Sequence, residues 1–499
     1  MADRPAAVQS TVRWRRAKKL ALIAAACAAL AGCAGVRKAP VPIDIEVPAA
    51  YRGDKPGALA VGTDLPWWKT YGDPALTRLI GLALDRNRDV QLAVARIEET
   101  RALVGPADFA LLPQVTVGGN AARERQPQNY RFNLPPGAPR ELNLYSTTIN
   151  AAYELDLWGR LRSLGAAARA EFLASRFARE TVAITLLSDV AQTYFDILSA
   201  RQHLAFTRST LTTRVEFTDL TRRRFDAGRA SAVEVSRAQG AQLGVQARLP
   251  QIEQQIAQLE NRLAILVGSP VAEAAQLVPL QARLPDAPEV PAGLPSALLE
   301  RRPDLLAAQQ ELESAAFRTD AQRAALLPTI SLTGSLGLQS RSLGDLLSGA
   351  ATTWGLGAAI LQPLLDASRN RFLVQAQEAR ERQALIRYQR AAEQAFREVS
   401  DALIARASQG ELRGTLGEQV RALARAASLA EQRFKAGLAA YFEVIDAQTE
   451  LLAAQVAENE AQRAVLASTV GLYRSLGGGW DPAAFGEGGH TVSGDPLRK

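Results

Sequence analysis

Three chemically versatile residues are almost missing from this chain of 499. It has two His, two Cys and one Met, the Met at position 1. Two Cys exclude a disulfide-rich scaffold and any zinc site of four cysteines. His203 and His490 stand 287 positions apart, which leaves little for a His-based metal centre or triad. One lies in a long helical stretch and the other in a Gly-rich tail, and both read as structural or solvated. Aromatic residues are 6% of the chain against 47% apolar, so Ala and Leu must do most of the packing. Acidic residues lie among Arg on helix faces, where solvated i,i+4 pairs are expected. Neither enzymatic activity nor a bound cofactor is expected.

A formal charge of +7 and a pI near 9.6 invite a nucleic-acid partner. The charge is in the wrong place for one. Residues 1–32 hold Arg4, Arg13, Arg15, Arg16, Lys18 and Lys19 against Asp3, and the remainder carries only about +2. No nucleic-acid partner is expected. A basic stretch followed by the apolar run Leu20–Leu30 has the pattern of a secretory signal. The run is too short for a spanning helix, which needs roughly 20 residues. It ends in Leu30-Ala31-Gly32-Cys33, which resembles the lipobox of bacterial lipoproteins. That resemblance implies cleavage after residue 32, with loss of Cys27, and diacylglycerol plus an N-acyl chain on Cys33. Ala34 in place of Asp implies the outer membrane.

The rest of the chain is written twice. Asp89 and Pro113 recur as Asp304 and Pro328, 215 positions on. Arg224-Phe225-Asp226-Ala227-Gly228 recurs as Arg433-Phe434-Lys435-Ala436-Gly437, 209 positions on. Each copy reads helix, strand, loop, strand, long helix, turn, helix. The pattern predicts a first repeat at 73–268 with strands at about 113–122 and 146–157, and a second at 296–476 with strands at about 328–339 and 351–362. Residues 1–32 form the signal, 33–72 a lipidated N-terminal segment, 269–295 a linker and 477–499 a tail.

The strands alternate. Ile149, Ala151, Tyr153, Leu155 and Leu157 share one face, and Thr148, Asn150, Ala152, Glu154 and Asp156 the other. Such segments fit a half-buried sheet, or a barrel with lipid outside and water inside. Turn residues mark the intervening loops, Asn133–Gly137 and Ser340–Gly344. The stretches Trp158–Arg224 and Asp366–Lys435 contain no proline, and each predicts a helix roughly 100 Å long. Shorter helices are expected at about 73–111, 231–267, 296–326 and 440–475. Pro250 should interrupt the second of them.

Four strands cannot close a barrel, because about eight are the minimum. In lipid an open sheet leaves edge N–H and C=O groups unpaired at a cost of several kcal/mol each. Several chains must therefore pool their strands.

The sequence resembles TolC-like outer-membrane factors of the lipoprotein branch. The residues that carry the resemblance are Leu30–Cys33, Pro66-Trp67-Trp68, Tyr71-Gly72-Asp73-Pro74 and Tyr153–Arg160, then Arg301-Arg302-Pro303-Asp304, the paired Phe-x-Ala-Gly turns and Leu476–Trp480. It implies a mainly α fold with transmembrane β. Three copies would form a twelve-stranded barrel in the outer membrane that continues into a periplasmic helical barrel. Residues about 34–72, 268–295 and 476–499 would form a girdle. The implied function is the passive exit channel of a tripartite efflux system. A periplasmic adaptor and an inner-membrane transporter, RND-type or other, would be its partners. A type I secretion duct or a structural coiled-coil lipoprotein are the alternatives, and the amphipathic strands argue against the latter.

The resemblance also assigns sites. Gly228, Arg229, Ala230, Ser231, Gly437, Leu438 and Ala439 would form the periplasmic tip on which the adaptor docks. Gly228 and Gly437 also suit helix C-caps. Phe442 and Asp446, four apart on one helix face, would supply an apolar ring and an acidic ring at a constriction. Their equivalents in the first repeat are Val233 and Arg237. This asymmetry raises the expectation that Arg237 pairs with an acid on a neighbouring helix. The family's Tyr before the second turn, whose hydroxyl helps latch the closed state, is Phe434 here.

Overall fold

The computed structural model describes residues 45–53, 66–125, 139–280, 283–290, 295–364 and 367–480. The expected signal, Cys33, Ala34, the turn at 133–137 and His490 lie outside the described residues. The elements are α1 (Pro74–Arg86), α2 (Arg88–Phe109), β1 (Gln114–Arg125), β2 (Glu141–Glu154), α3 (Arg160–Asp226), α4 (Ala232–Gln246) and α5 (Leu249–Leu266). The second half holds α6 (Pro295–Arg301), α7 (Pro303–Ala324), β3 (Thr329–Ser340), β4 (Thr352–Leu361), α8 (Ala367–Lys435) and α9 (Tyr441–Ser475). No described helix is long and apolar enough to cross a membrane.

Two compact units emerge. The first takes its described residues from Glu98–Leu173 and Gln309–Arg387. It holds one antiparallel sheet of order β1-β2-β3-β4. Register sorts its side chains by chemistry. Val117, Ile149, Leu336 and Trp354 stand opposite one another across the four strands. All are exposed, Trp354 at 73%, and Leu356 on the same face at 84%. The next row, on the other face, is Thr116, Asn150, Ser335 and Gly355. On the other side of the apolar row lie Gly118, Thr148, Gly337 and Thr353. A Cβ on Gly337 would lie 2.4 Å from the Thr147 carbonyl oxygen, so that position has no room for a side chain.

β2 ends at Glu154, so Leu155, Asp156 and Leu157 are not part of the strand as alternation suggests. The cause is the corner into α3. Asp156 turns its carboxylate to the first free amides of that helix, accepting from Leu161 N and Arg162 N at 3.0 Å each. Glu154 receives a two-pronged bond from Arg160 at 2.9 and 2.8 Å. Trp158 Nε1 donates to the Pro328 carbonyl at 2.6 Å, which ties the start of α3 to the start of β3.

The second unit takes its described residues from Asp44–Ile97, Ala174–Ala308 and Tyr388–Trp480. Its core is Leu76, Leu79, Ile80, Leu187, Ile197, Leu263, Leu305 and Leu466, with Trp67 stacked on Tyr473 at 5.2 Å. Here the duplication is visible as two equivalent sockets. In the first, Asn87 Nδ2 donates to the Leu266 carbonyl at the end of α5. In the second, Arg302 Nη1 donates to the Ser475 carbonyl at the end of α9. Gly268 and Gly477 follow these helices with φ of 67° and 70°. Burial alone lowers the basicity of Arg302, but Asp304 and Glu398 outweigh it and raise its pKa.

Three of the expected helices are broken, two of them at socket residues. The expected helix at 73–111 is two, because Asn87 leaves helical geometry to accept from Asp89 N and Val90 N. The one at 296–326 divides before Pro303, which disfavours helix at Arg302. The one at 231–267 divides ahead of Pro250, in the first turn of α5. A Cβ at Gly268 would lie 2.5 Å from the Arg86 carbonyl oxygen, and at Gly477 3.2 Å from that of Arg301. Gly268→Ala should therefore cost about 2 kcal/mol or more and Gly477→Ala less, as thermal unfolding of the purified protein will measure.

Candidate functional site at the two helix turns

The long helices α3 and α8 end in the same way. Gly228 N donates to the Phe225 carbonyl and Arg229 N to that of Arg224, at 2.8 and 2.7 Å. Gly437 N donates to Phe434 and Leu438 N to Arg433, both at 2.9 Å. Both are Schellman caps, and the two glycines take φ of 71° and 78°. Arg229 and Leu438 are exposed, and Ala230 and Ala439 are half-buried.

The helices that follow start differently. Ser231 and Glu234 form a capping box on α4: Glu234 N donates to Ser231 Oγ, and Ser231 N donates to Glu234 Oε2 at 2.6 Å. The bonds that Ser231 donates to this carboxylate, from its N and its Oγ, lower the Glu234 pKa. On α9 the cap position is Ala440, with extended backbone and no side-chain bond.

Phe442 is 58% exposed, and Asp446 is exposed on the same face of α9. On α4, Val233 and Arg237 are exposed beside a shallow groove that also takes in Ala232 and Ser236. The Arg237 guanidinium carbon lies 5.9 Å from the centroid of the Phe442 ring. Among the described residues no carboxylate of the chain pairs with Arg237, so within one chain the expected acid is replaced by an aromatic ring. Behind this face, Phe217, Phe434 and Tyr441 pack at 5.3–5.7 Å. His203 is displaced along α3 from this cluster, and burial lowers its pKa.

Comparison with known proteins shows the family. A family model for outer membrane efflux proteins matches residues 79–269 and 294–478. The chain belongs to the outer membrane efflux protein family. The probable efflux pump outer membrane protein TtgC of Pseudomonas putida is 34% identical over 470 residues, covering 93% of this chain and 96% of that one. The pyoverdine export outer membrane protein OpmQ of Pseudomonas putida is 31% identical over 446 residues, covering 88% and 94%. Among solved structures, the outer-membrane channel OprN superposes with a TM-score of 0.82 at 27% identity, over 89% of this chain and 99% of that one. The open state of the Neisseria gonorrhoeae MtrE channel gives 0.79 at 28%, over 88% and 97%.

The helices and four-stranded sheet thus match those of outer-membrane channels. The protein is an outer-membrane efflux channel and not an enzyme.

Sequence reasoning missed Arg214, Arg224 and Tyr441. Arg224 sets its guanidinium carbon 4.2 Å from the Phe434 ring centroid and donates from Nη2 to the Phe434 carbonyl at 3.0 Å. Spacing held a signal for Arg214. It lies seven residues after Thr207, seven before Thr221 and three before Phe217, all of them buried on α3.

Two substitutions test the unequal caps. Ala440→Ser should complete a box with Glu443 and stabilise the fold by about 0.5–1 kcal/mol in thermal melts. Glu234 has a folded pKa below its unfolded one. Its contribution is therefore full above the unfolded value of about 4.3 and is lost as pH falls through the folded value. The melting difference between wild type and Glu234→Gln should shrink over that acid window and be flat near neutrality.

Proposed function

We propose that three copies of the chain pool their sheets into one twelve-stranded barrel. The assembly would be the passive exit duct of a tripartite pump, fed by an inner-membrane transporter through a periplasmic adaptor. The observation that carries this reading is the sheet itself. It has an exposed apolar face, an opposite face of Gly, Ser, Thr and Asn, and two edge strands, β1 and β4, each paired on one side only among the described residues. The apolar face suits lipid and the polar face suits water.

In this reading Phe442 and Asp446 repeat around the axis of the assembly. Phenyl rings narrow the opening and exclude water, and clustered carboxylates attract cations. The exposed turns Gly228–Ser231 and Gly437–Ala439 receive the adaptor. Cys33 carries diacylglycerol and an N-acyl chain, more than one chain being needed for stable anchoring. Relatives are named for toluene, for antibiotics and for pyoverdine. That breadth supports a wall without a dedicated cargo site, with toluene-like solvents and antibiotics as the first compounds to test.

Planar-bilayer recordings of the purified full-length protein test the constriction. Phe442→Ala should raise conductance severalfold, and Asp446→Asn should lower the cation-to-anion permeability ratio. Wild-type values in both variants would remove these residues from the gate. Cys33→Ser should abolish incorporation of labelled palmitate, while heat-sensitive trimers persist in outer-membrane fractions.

A further inference from the structure

Arg214 is 2% exposed, and among the described residues no carboxylate pairs with it. Burial lowers its pKa. Its Nη2 donates to the main-chain carbonyl of Ile445 at 3.0 Å and to Thr449 Oγ1 at 2.8 Å. Thr449 Oγ1 donates in turn to the same carbonyl at 2.6 Å. Ile445 immediately precedes Asp446, so these bonds hold α9 at the level of the acidic face. Ten residues further along α3, Arg224 donates to the Phe434 and Lys435 carbonyls at the end of α8.

Two arginines of the first repeat thus grip the turn of the second. The grip has no counterpart in the other direction. The positions 209 on are Leu423, which has no donor, and Arg433, which is exposed.

Against these bonds stand three buried polar atoms without a partner: Arg214 Nε, the Tyr441 hydroxyl and Gln448 Oε1. All lie on, or packed against, the first turns of α9. Tyr441 is 2% exposed and stacks on Phe217 at 5.6 Å, so its ring is well held while its hydroxyl is not. Leaving such atoms sealed from water is costly.

We propose that Arg214, assisted by Arg224, is the positioning residue that sets the opening at Phe442 and Asp446, and that the unpartnered atoms around it make this packing releasable. The inference rests on reading Phe442 and Asp446 as the constriction. Moving the head of α9 away from α3 breaks the Arg214 bonds but gives three polar atoms access to water. The head of α9 is then a two-position element whose positions are separated by a small difference between opposed terms. Substitutions on the two sides act in opposite directions. Removing an acceptor or the guanidinium favours the wide position, and removing an unpartnered atom favours the narrow one.

Single-channel recordings of the full-length protein in planar bilayers, with oligomer melting in detergent alongside, provide the test. Thr449→Ala and Arg214→Met should raise the occupancy of the wide state at least about tenfold, the scale of a lost charged hydrogen bond. Tyr441→Phe keeps the ring stack and should lower that occupancy while raising the melting temperature. Thr449→Ala and Tyr441→Phe decide the question even where Arg214→Met does not assemble. Wild-type gating in both, with Asp446→Asn still altering permeation, would overturn the role of Arg214 and leave the constriction standing. A wider channel in Tyr441→Phe would overturn the releasable packing. Wild-type permeation in Asp446→Asn and Phe442→Ala would remove the constriction itself, and this inference with it.

Discussion

A sheet of four strands has two edges, and a hydrocarbon layer offers nothing to satisfy them. That constraint governs this molecule. One face of the sheet is already committed to an apolar surrounding by Val117, Ile149, Leu336 and Trp354, so the edges of β1 and β4 must find other strands. The chain makes strands in pairs, once in each repeat. The long helices that follow each pair are tied to it by the Glu154, Asp156 and Trp158 corner in the first repeat. The end of β2 and the start of α3 are therefore fixed together.

Duplication supplies the parts, and divergence decides what they do. Asn87 and Arg302 occupy equivalent sockets and bind equivalent carbonyls, one through an amide and one through a guanidinium with two acidic partners. The two Schellman turns are nearly identical in geometry, yet one is followed by a capping box and the other by Ala440. Val233 and Arg237 stand in the first repeat where Phe442 and Asp446 stand in the second. Backbone geometry has been kept and side-chain chemistry has not, as expected where the frame is shared and the opening is specialised.

Much of this was legible in the residues. Alternation exposed the strands, freedom from proline exposed the long helices, and the offsets of 215 and 209 exposed the repeat. What failed did so for a local reason. Leu155–Leu157 continue the alternation but form a corner around the helix cap Asp156, because a cap is decided by free amides five and six residues later and not by hydropathy. The break at Asn87 is a local cap, its Oδ1 accepting from Asp89 N and Val90 N, and only its anchoring to a carbonyl 179 positions away lies outside any local window. Arg214 was hidden because a charged residue in a helix reads as solvated. Only its register with Phe217 and Thr221 places it on the buried side. At the turns, the glycines were visible as caps, whereas the contact of Arg237 with Phe442 joins the two repeats and has no trace in either alone.

The acceptors that Arg214 and Arg224 use at Ile445, Phe434 and Lys435 are main-chain carbonyls. Every amino acid supplies one. Apart from Thr449, whose hydroxyl also accepts from Arg214, the exposed side chains of α8 and α9 take no part in these bonds. If Arg214 and Arg224 set the opening as proposed, closure would depend on two residues of one helix and on acceptors that are mostly main chain. In such a duct the exposed residues at the mouth, Phe442 and Asp446 among them, would be free to change while the bonds behind them stay the same.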